Sequence, residues 1–258
     1  MKRVLITGAA SGIGAATVKE LRSQGARVEG LDLNAGDGLI ACDVRDQESV
    51  DRAVAEAIER LGGLDVLINN AGVGYGQSAG KAPDAEALAL LDVNMVGPWR
   101  VTSAALPAAR GRVVNVASGL AHLALPLVPA YCMSKRGLTA YSDALRLEHG
   151  DELTVTTVYP GYIKTPIHDS SEADGFALEG IVPEEKLDAV AKLMARAALG
   201  RPRRDLATTR RGAVNYLLLR ATPRGLMDRL TIAVLRREAK RGRFNPSSLA
   251  GELMQRLS

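Results

Sequence analysis

Thr7-Gly8-Ala9-Ala10-Ser11-Gly12-Ile13-Gly14 follows directly on the aliphatic run Arg3-Val4-Leu5-Ile6. The run reads as a short strand. The residues after it read as a tight turn, because Gly8, Gly12 and Gly14 free the backbone to double back and to approach a diphosphate at the N-terminus of the next helix. The spacing G-x-x-x-G-x-G departs from the commoner G-x-G-x-x-G, and such a motif alone decides little. Its place between a first strand and a second one ending in Asp32 carries the reading. Ala15 to Gln24 continues as a helix closed by Gly25, and Ala26 to Leu33 is the second strand.

The alternation continues. Gly38 to Asp43 predicts a weaker third strand, Gln47 to Leu61 a helix, and Leu64 to Asn69 a fourth strand that ends in Asn69-Asn70-Ala71-Gly72. A helix over Ala85 to Leu106 holds Asn94. Arg112 to Ala117 is a fifth strand delivering Ser118, Tyr131 to His149 a long helix, and Thr154 to Val158 a sixth strand ending at Pro160-Gly161. Strands alternating with helices imply right-handed crossovers, hence an α/β fold with a parallel sheet and helices on both faces. In such a sheet the polar and glycine residues after the strands share the carboxyl edge, where ligands bind.

Composition agrees. The 258 residues are 47% hydrophobic but only 3% aromatic, which suits strands built as aliphatic runs. Residues 1–258 read as a single domain. Cys42 and Cys132 read as free thiols, and they form neither a disulfide framework nor a metal cluster. His122, His149 and His168 share no ligand spacing, so no metal is expected. His149 reads as a helix C-terminal residue, and His122 as either a loop histidine or one within reach of substrate. No signal peptide or membrane-spanning run is visible, which makes the cytoplasm the expected location.

Two groups of residues point to chemistry. Asp32 lies 18 residues beyond Gly14, close to the interval of a carboxylate that binds the adenosine ribose hydroxyls. It repels a 2′-phosphate. Leu33, Asn34 and Ser11 offer no cation to hold one, so NAD is the expected cofactor. Tyr131 and Lys135 stand at i and i+4 on one helix face, and Ser118 lies upstream. A tyrosine acts as a base near neutral pH only when a neighbouring positive charge favours its phenolate, and Lys135 is the expected source.

Taken together, the glycine turn, Cys42-Asp43-Val44, Asn69-Asn70-Ala71-Gly72, Asn94, Ser118, Tyr131-x-x-x-Lys135 and Pro160-Gly161-Tyr162-Ile163-Lys164-Thr165 resemble the short-chain dehydrogenase/reductase family in its compact branch. The resemblance covers residues 3 to about 166. It implies a doubly wound Rossmann fold of about seven strands, a nicotinamide cofactor and a homo-oligomer, dimer or tetramer. By position it makes Tyr131 the acid/base and has Lys135 lower its pKa and hold the nicotinamide ribose. Ser118 would bond the substrate oxygen, and Asn94 would hold a water linking Lys135 to solvent. Gly8, Ser11, Gly12, Ile13, Gly14, Asp32 and Leu33 would surround the adenosine and diphosphate. Asp43 and Val44 would contact adenine, Asn70, Ala71 and Gly72 would pack beside the ribose, and Pro160, Gly161, Ile163 and Thr165 would line the carboxamide end. Residues 166–185 would form a substrate lid.

The expected activity is hydride transfer between the cofactor and a small-molecule secondary alcohol or ketone, bulky and lipophilic. The competing readings are a 3-oxoacyl thioester reductase, which Asp32 disfavours through its usual NADP(H), and a non-catalytic nucleotide-binding regulator, which has no need of the serine, tyrosine and lysine.

The chain departs from the family over residues 201–258. The family's closing strand and Asp-Gly-Gly turn are not visible. Residues 1–200 hold 19 Lys/Arg against 25 Asp/Glu, whereas 201–243 hold 13 against 3. Tyr216 to Leu219, Leu226, Met227, Leu230, Ile232, Val234 and Leu235 form an apolar set among these arginines. Three placements stay open: on the chain's own domain, against a neighbouring subunit, or on an anionic membrane surface through residues 215–243. No nucleic acid is expected, because no reading motif or aromatic platform accompanies the charge.

Overall fold

Aliphatic runs flanked by glycines form the centre of the sheet. In the computed structural model β1 (Arg3–Thr7) and β4 (Leu64–Asn69) lie side by side, with β2 (Arg27–Asp32) and the two-residue β3 (Ile40–Ala41) on one side. β5 (Ala109–Val116), β6 (Thr154–Tyr159) and β7 (Asp205–Ala207) continue on the other. The seven strands run in the order β3-β2-β1-β4-β5-β6-β7, and all six neighbouring pairs are parallel. The order reverses between β1 and β4, the switch point of a doubly wound sheet. The structure describes residues 1–34, 36, 38–163, 184–208, 210–241, 244 and 248–257.

Helices cover both faces. α1 (Gly12–Ser23) and α6 (Leu187–Leu199) pack on one, where Val4, Ile6, Leu21, Val114, Val158, Val190 and Met194 share a core. α2 (Gln47–Leu61), α4 (Gly97–Ala105) and α5 (Pro129–His149) cover the other, around Leu5, Leu31, Val54, Leu67, Val101 and Leu145. Asp46 caps α2 by accepting a hydrogen bond from the Glu48 N–H, and Gly62, with φ of 73°, ends it.

Several expectations need correction. The helix expected over Ala85 to Leu106 is three pieces: α3 (Ala85–Leu91), a π-helical turn at Asp92–Val96, and α4. The third strand shrinks to two residues, since only Leu31 and Asp32 of β2 reach it. A seventh strand does exist: three residues, Asp205–Ala207, pair with Thr157–Tyr159. Beyond it lie α7 (Arg210–Ala221), α8 (Arg224–Lys240) and α9 (Leu249–Leu257). The expected lid, apart from Glu184 and Glu185, lies outside the described residues, as do Thr165 and His168.

The glycine turn depends on close approach. A Cβ on Gly14 would sit 1.8 Å from the Gly8 carbonyl oxygen. That contact is backbone on backbone, so α1 itself must move to relieve it. We expect Gly14→Ala to cost ~3 kcal/mol and to abolish nucleotide binding. Gly25→Ala, with φ of 81° but nothing within 4 Å, is expected to cost only ~1 kcal/mol. Urea unfolding midpoints of the two variants compare them directly.

Candidate active site

The β1–α1, β2 and β4 ends enclose a crevice of about 670 Å³. Gly8, Ser11, Gly12, Ile13, Asp32, Leu33, Asp43, Val44, Asn70, Ala71 and Gly72 all line it, as the sequence reading expects. Gly14 lies beneath, against Gly8. The Asp32 carboxylate accepts the Ala10 N–H at 2.9 Å on one oxygen and the Asn34 N–H at 3.1 Å on the other. It therefore holds the glycine turn in shape as well as facing the crevice. Each oxygen keeps a lone pair for a ligand hydroxyl.

Arg45, which the sequence reading passed over, also lines the crevice. It is the only Lys or Arg among the described lining residues. Its guanidinium is committed to Asp43, with Nη2 at 2.7 Å and Nε at 3.0 Å. That hydrogen bond holds the Asp43 carboxyl below its ordinary range. The acidic position read as an adenine contact is thus an Asp43–Arg45 pair of little net charge.

At its far end the crevice meets the tyrosine and lysine. The fully buried Asn94 sits on the π turn, where its amide grips the Val73 backbone. Oδ1 accepts the Val73 N–H at 2.8 Å and Nδ2 donates to the Val73 carbonyl at 2.9 Å. A Cβ on Gly72 would lie 3.3 Å from Asn94 Oδ1 and 3.6 Å from Lys135 Nζ. Gly72, Asn94 and Lys135 are therefore neighbours. Lys135 Nζ donates to the Val116 carbonyl at 3.0 Å and stands 5.6 Å from the centre of the Tyr131 ring. Ser118 caps a single 3₁₀ turn (Gly119–Ala121) and makes a side-chain hydrogen bond to Tyr131. Asn94, Ser118, Tyr131 and Lys135 are brought together.

The electrostatics of this cofactor-free site differ from expectation. Burial pushes the Tyr131 phenol up to about 12, the Ser118 hydrogen bond opposing it. Burial also pushes Lys135 down to about 8. Tyr131 is half-buried. Lys135 does not lower the tyrosine pKa here, because its ammonium is held by the Val116 carbonyl and faces the ring rather than the hydroxyl.

Other residues divide. Pro160 is buried, and the Gly161 N–H is taken by Glu185 Oε2 at 2.8 Å. Ile163 packs its side chain into the core with Val4 and Val158. His122 stacks on Tyr159 with ring centres 5.1 Å apart, and burial lowers its pKa. Cys42 and Cys132 are free and buried. Among the described residues no His/Cys/Asp/Glu group has metal-site geometry.

One wall was not legible. Leu120, Leu125, Leu127 and Val128, from the loop after Ser118, cluster with Leu235 of α8, Phe244, and Ala250 and Met254 of α9, and Tyr131 packs against them. Leu127 holds φ of 66°, rare for a branched side chain, while its carbonyl accepts the Gln77 N–H at 2.8 Å. The C-terminal segment thus reaches back to the tyrosine.

Residues 2–175 match the family model described as short chain dehydrogenase, and the chain belongs to that family. A putative ketoacyl reductase of Streptomyces coelicolor is 34% identical over 76% of this chain and 83% of its own length. A D-threitol dehydrogenase of Mycolicibacterium smegmatis is 37% identical over 70% and 78%. A 3-ketodihydrosphingosine reductase of Bacteroides thetaiotaomicron is 34% identical over 65% and 66%. A short-chain dehydrogenase/reductase structure from Mycobacterium marinum superposes with a TM-score of 0.73 at 25% identity, covering 80% of this chain and 93% of that one. The protein is an oxidoreductase of this family, whose members use nicotinamide cofactors.

The buried lysine has a thermodynamic signature. Below about 8 the folded and unfolded chains both carry its charge, and the folded one bears the burial cost. Between about 8 and the ordinary 10.5 the unfolded chain binds more proton, so stability rises with pH. The comparison stops near 10, where the raised Tyr131 starts to act in the opposite sense. Lys135→Met is expected to be more stable than wild type at neutral pH by ~3 kcal/mol and to lack the rise. Urea unfolding of the cofactor-free protein across that window tests this, and a wild-type profile as flat as the variant's would refute it.

Proposed function

We propose that the protein is an NAD-dependent dehydrogenase/reductase that interconverts a bulky, lipophilic secondary alcohol and its ketone. The observation that carries the substrate class is the apolar wall around Tyr131, built from Leu120, Leu125, Leu127 and Val128 on one side and Leu235, Phe244 and Met254 on the other. Asp32 at the end of β2 carries the cofactor preference, since among the described residues the crevice offers a 2′-phosphate no cation free of Asp43. The glycine turn, the crevice and the acceptor oxygens of Asp32 fit a dinucleotide.

When bound, the nicotinamide accepts or supplies the hydride. The chain's own residues manage the proton. Tyr131 Oη takes it from the alcohol or gives it to the ketone oxygen. Ser118 donates a hydrogen bond to the same oxygen, where charge develops in the transition state. Lys135 would hold the nicotinamide ribose and favour the phenolate. Asn94 fixes Val73, and with it the end of the crevice beside Lys135. Trp99 is exposed on α4 and stacks on Tyr141 of α5, their ring centres 5.6 Å apart. The open groove along these two helices supports a homo-oligomer contact.

A second reading, a 3-oxoacyl thioester reductase, is favoured by the names of the ketoacyl reductases among the relatives. Cofactor oxidation with acyl thioesters, set beside cofactor reduction with steroid, aryl and aliphatic secondary alcohols, separates the two. A kcat/KM higher for the thioesters overturns the first.

Tyr131→Phe is expected to lower turnover by ~10³-fold while leaving NADH binding, measured by fluorescence titration, unchanged; near-normal turnover would remove Tyr131 from its role. Wild type is expected to prefer NAD(H) over NADP(H) in kcat/KM by on the order of a hundredfold. Asp32→Asn combined with Leu33→Arg should narrow or reverse that ratio. Asparagine is the better probe than alanine because it keeps an acceptor for the Ala10 N–H. A wild type more efficient with NADP(H) would overturn the assignment.

A further inference from the structure

α7 and α8 each turn one face to the protein and leave the other open. On α7 the open face holds Val214, Leu217, Leu218 and Ala221, at i, i+3, i+4 and i+7. On α8 it holds Leu226, Leu230, Ala233 and Val234, at i, i+4, i+7 and i+8. The six Leu and Val side chains are between 45% and 69% exposed. Among the described side chains of the apolar set, Leu235 alone is buried, and Leu219, Met227 and Ile232 are half-buried. Packing onto the domain therefore accounts for the inner side only.

Charge separates the remaining occupants. Residues 210–241 carry nine Lys/Arg against Asp228 and Glu238, and Glu238 is buried and bonded by Arg241 at 2.8 Å. Arg229, Arg236 and Lys240 form a row beside the α8 stripe, at i, i+7 and i+11, and Arg237 continues the stripe itself. A two-fold contact through this face would set one cationic patch against its own copy, which repels. An anionic bilayer complements both components. Leucines and valines enter the headgroup boundary while arginines reach the phosphates.

We propose that the outer face of α7 and α8 binds an anionic lipid surface in the plane of the membrane. No helix among the described residues is long and apolar enough to cross one, so the contact is peripheral. The opposite side of α8 supplies Leu235 to the wall against which Tyr131 packs. If the substrate is lipophilic, a point resting on the function proposed above, it meets the site from the lipid side. The lipid contact does not depend on that point.

The test uses the full chain in sedimentation with vesicles of phosphatidylcholine alone and with added phosphatidylserine, at low and high salt. Binding to the phosphatidylserine vesicles at low salt is expected, falling by about tenfold or more at high salt. Leu226→Glu with Leu230→Glu, and separately Arg229→Glu with Arg237→Glu and Lys240→Glu, are each expected to weaken binding by at least about tenfold. All five positions are exposed, and unchanged NADH binding confirms that the variants fold. No binding of wild type at low salt overturns the proposal, as does binding that both variants retain. A wild-type dimer in sedimentation velocity that Leu226→Glu with Leu230→Glu dissociates, without vesicle binding, assigns the face to a second copy instead. Wild type that turns over soluble alcohols but binds no vesicles removes this inference and leaves the enzymatic one standing.

Discussion

The loops after β1 and β4 are clamped to each other, and the site follows from that clamp. Thr7 Oγ1 accepts the N–H groups of Asn70 and Ala71 at 3.1 and 3.0 Å, while Asn70 Nδ2 donates to the carbonyls of Thr7 and Gly8. The Gly8 carbonyl is also the surface on which Gly14 and α1 rest. One short backbone segment therefore fixes the helix N-terminus, the crevice floor and the exit of β4. From Asn70 the chain runs to Val73, which Asn94 holds, and Asn94 adjoins Lys135. The glycine turn and the tyrosine–lysine pair, far apart in sequence, are linked through backbone groups with few soft torsions between them.

A second network holds the helices to the sheet. Asn69 Nδ2 donates to Thr102 Oγ1 and to Asn115 Oδ1, and Asn115 Nδ2 donates to Ser142 Oγ at 2.8 Å. Thr102 and Ser142 pass their own protons to carbonyls one turn back in α4 and α5. These side chains are buried, so a missing partner leaves a desolvated polar group worth ~1–3 kcal/mol. Such a network specifies how α4 and α5 lie on β4 and β5, where aliphatic packing alone would tolerate sliding.

What could be read in the sequence followed from strength of local signal. β1, α2 and β4 were legible because Val4-Leu5-Ile6 and Val66-Leu67-Ile68 are continuous aliphatic runs and Asp46 and Gly62 punctuate α2. The crevice residues were legible because each sits where a strand ends. β7 was not, since Asp205-Leu206-Ala207 is too short for a period and its partner is remote. Arg45 and Glu185 carry no local signal of their roles; their bonds to Asp43 and Gly161 are matters of tertiary placement. The wall formed by Leu235, Phe244 and Met254 was hidden for the same reason. Leu235 shares one amphipathic helix with Leu226 and Leu230, and only packing sorts inner from outer. The pKa directions of Tyr131 and Lys135 were read from the pairing of charges, whereas burial decides them in the cofactor-free site.

The π turn at Asp92–Val96 is one residue of excess in an otherwise helical stretch, and it leaves a mark on how the chain can change length. Removing any one residue between Ala85 and Ala105 gives the backbone a way to become plain α-helix. The two ends of the stretch stay in register with the core, but Asn94 loses the outward bulge that lets its amide meet both polar groups of Val73. Such a deletion spares the fold and strikes the site. Adding a residue has no such refuge, because a second bulge must rotate α3 against α4, and with it Leu90 against Val101 in the packed interior. Length variation here is asymmetric: shortening by one yields a folded chain with a misplaced asparagine, while lengthening by one disturbs the core.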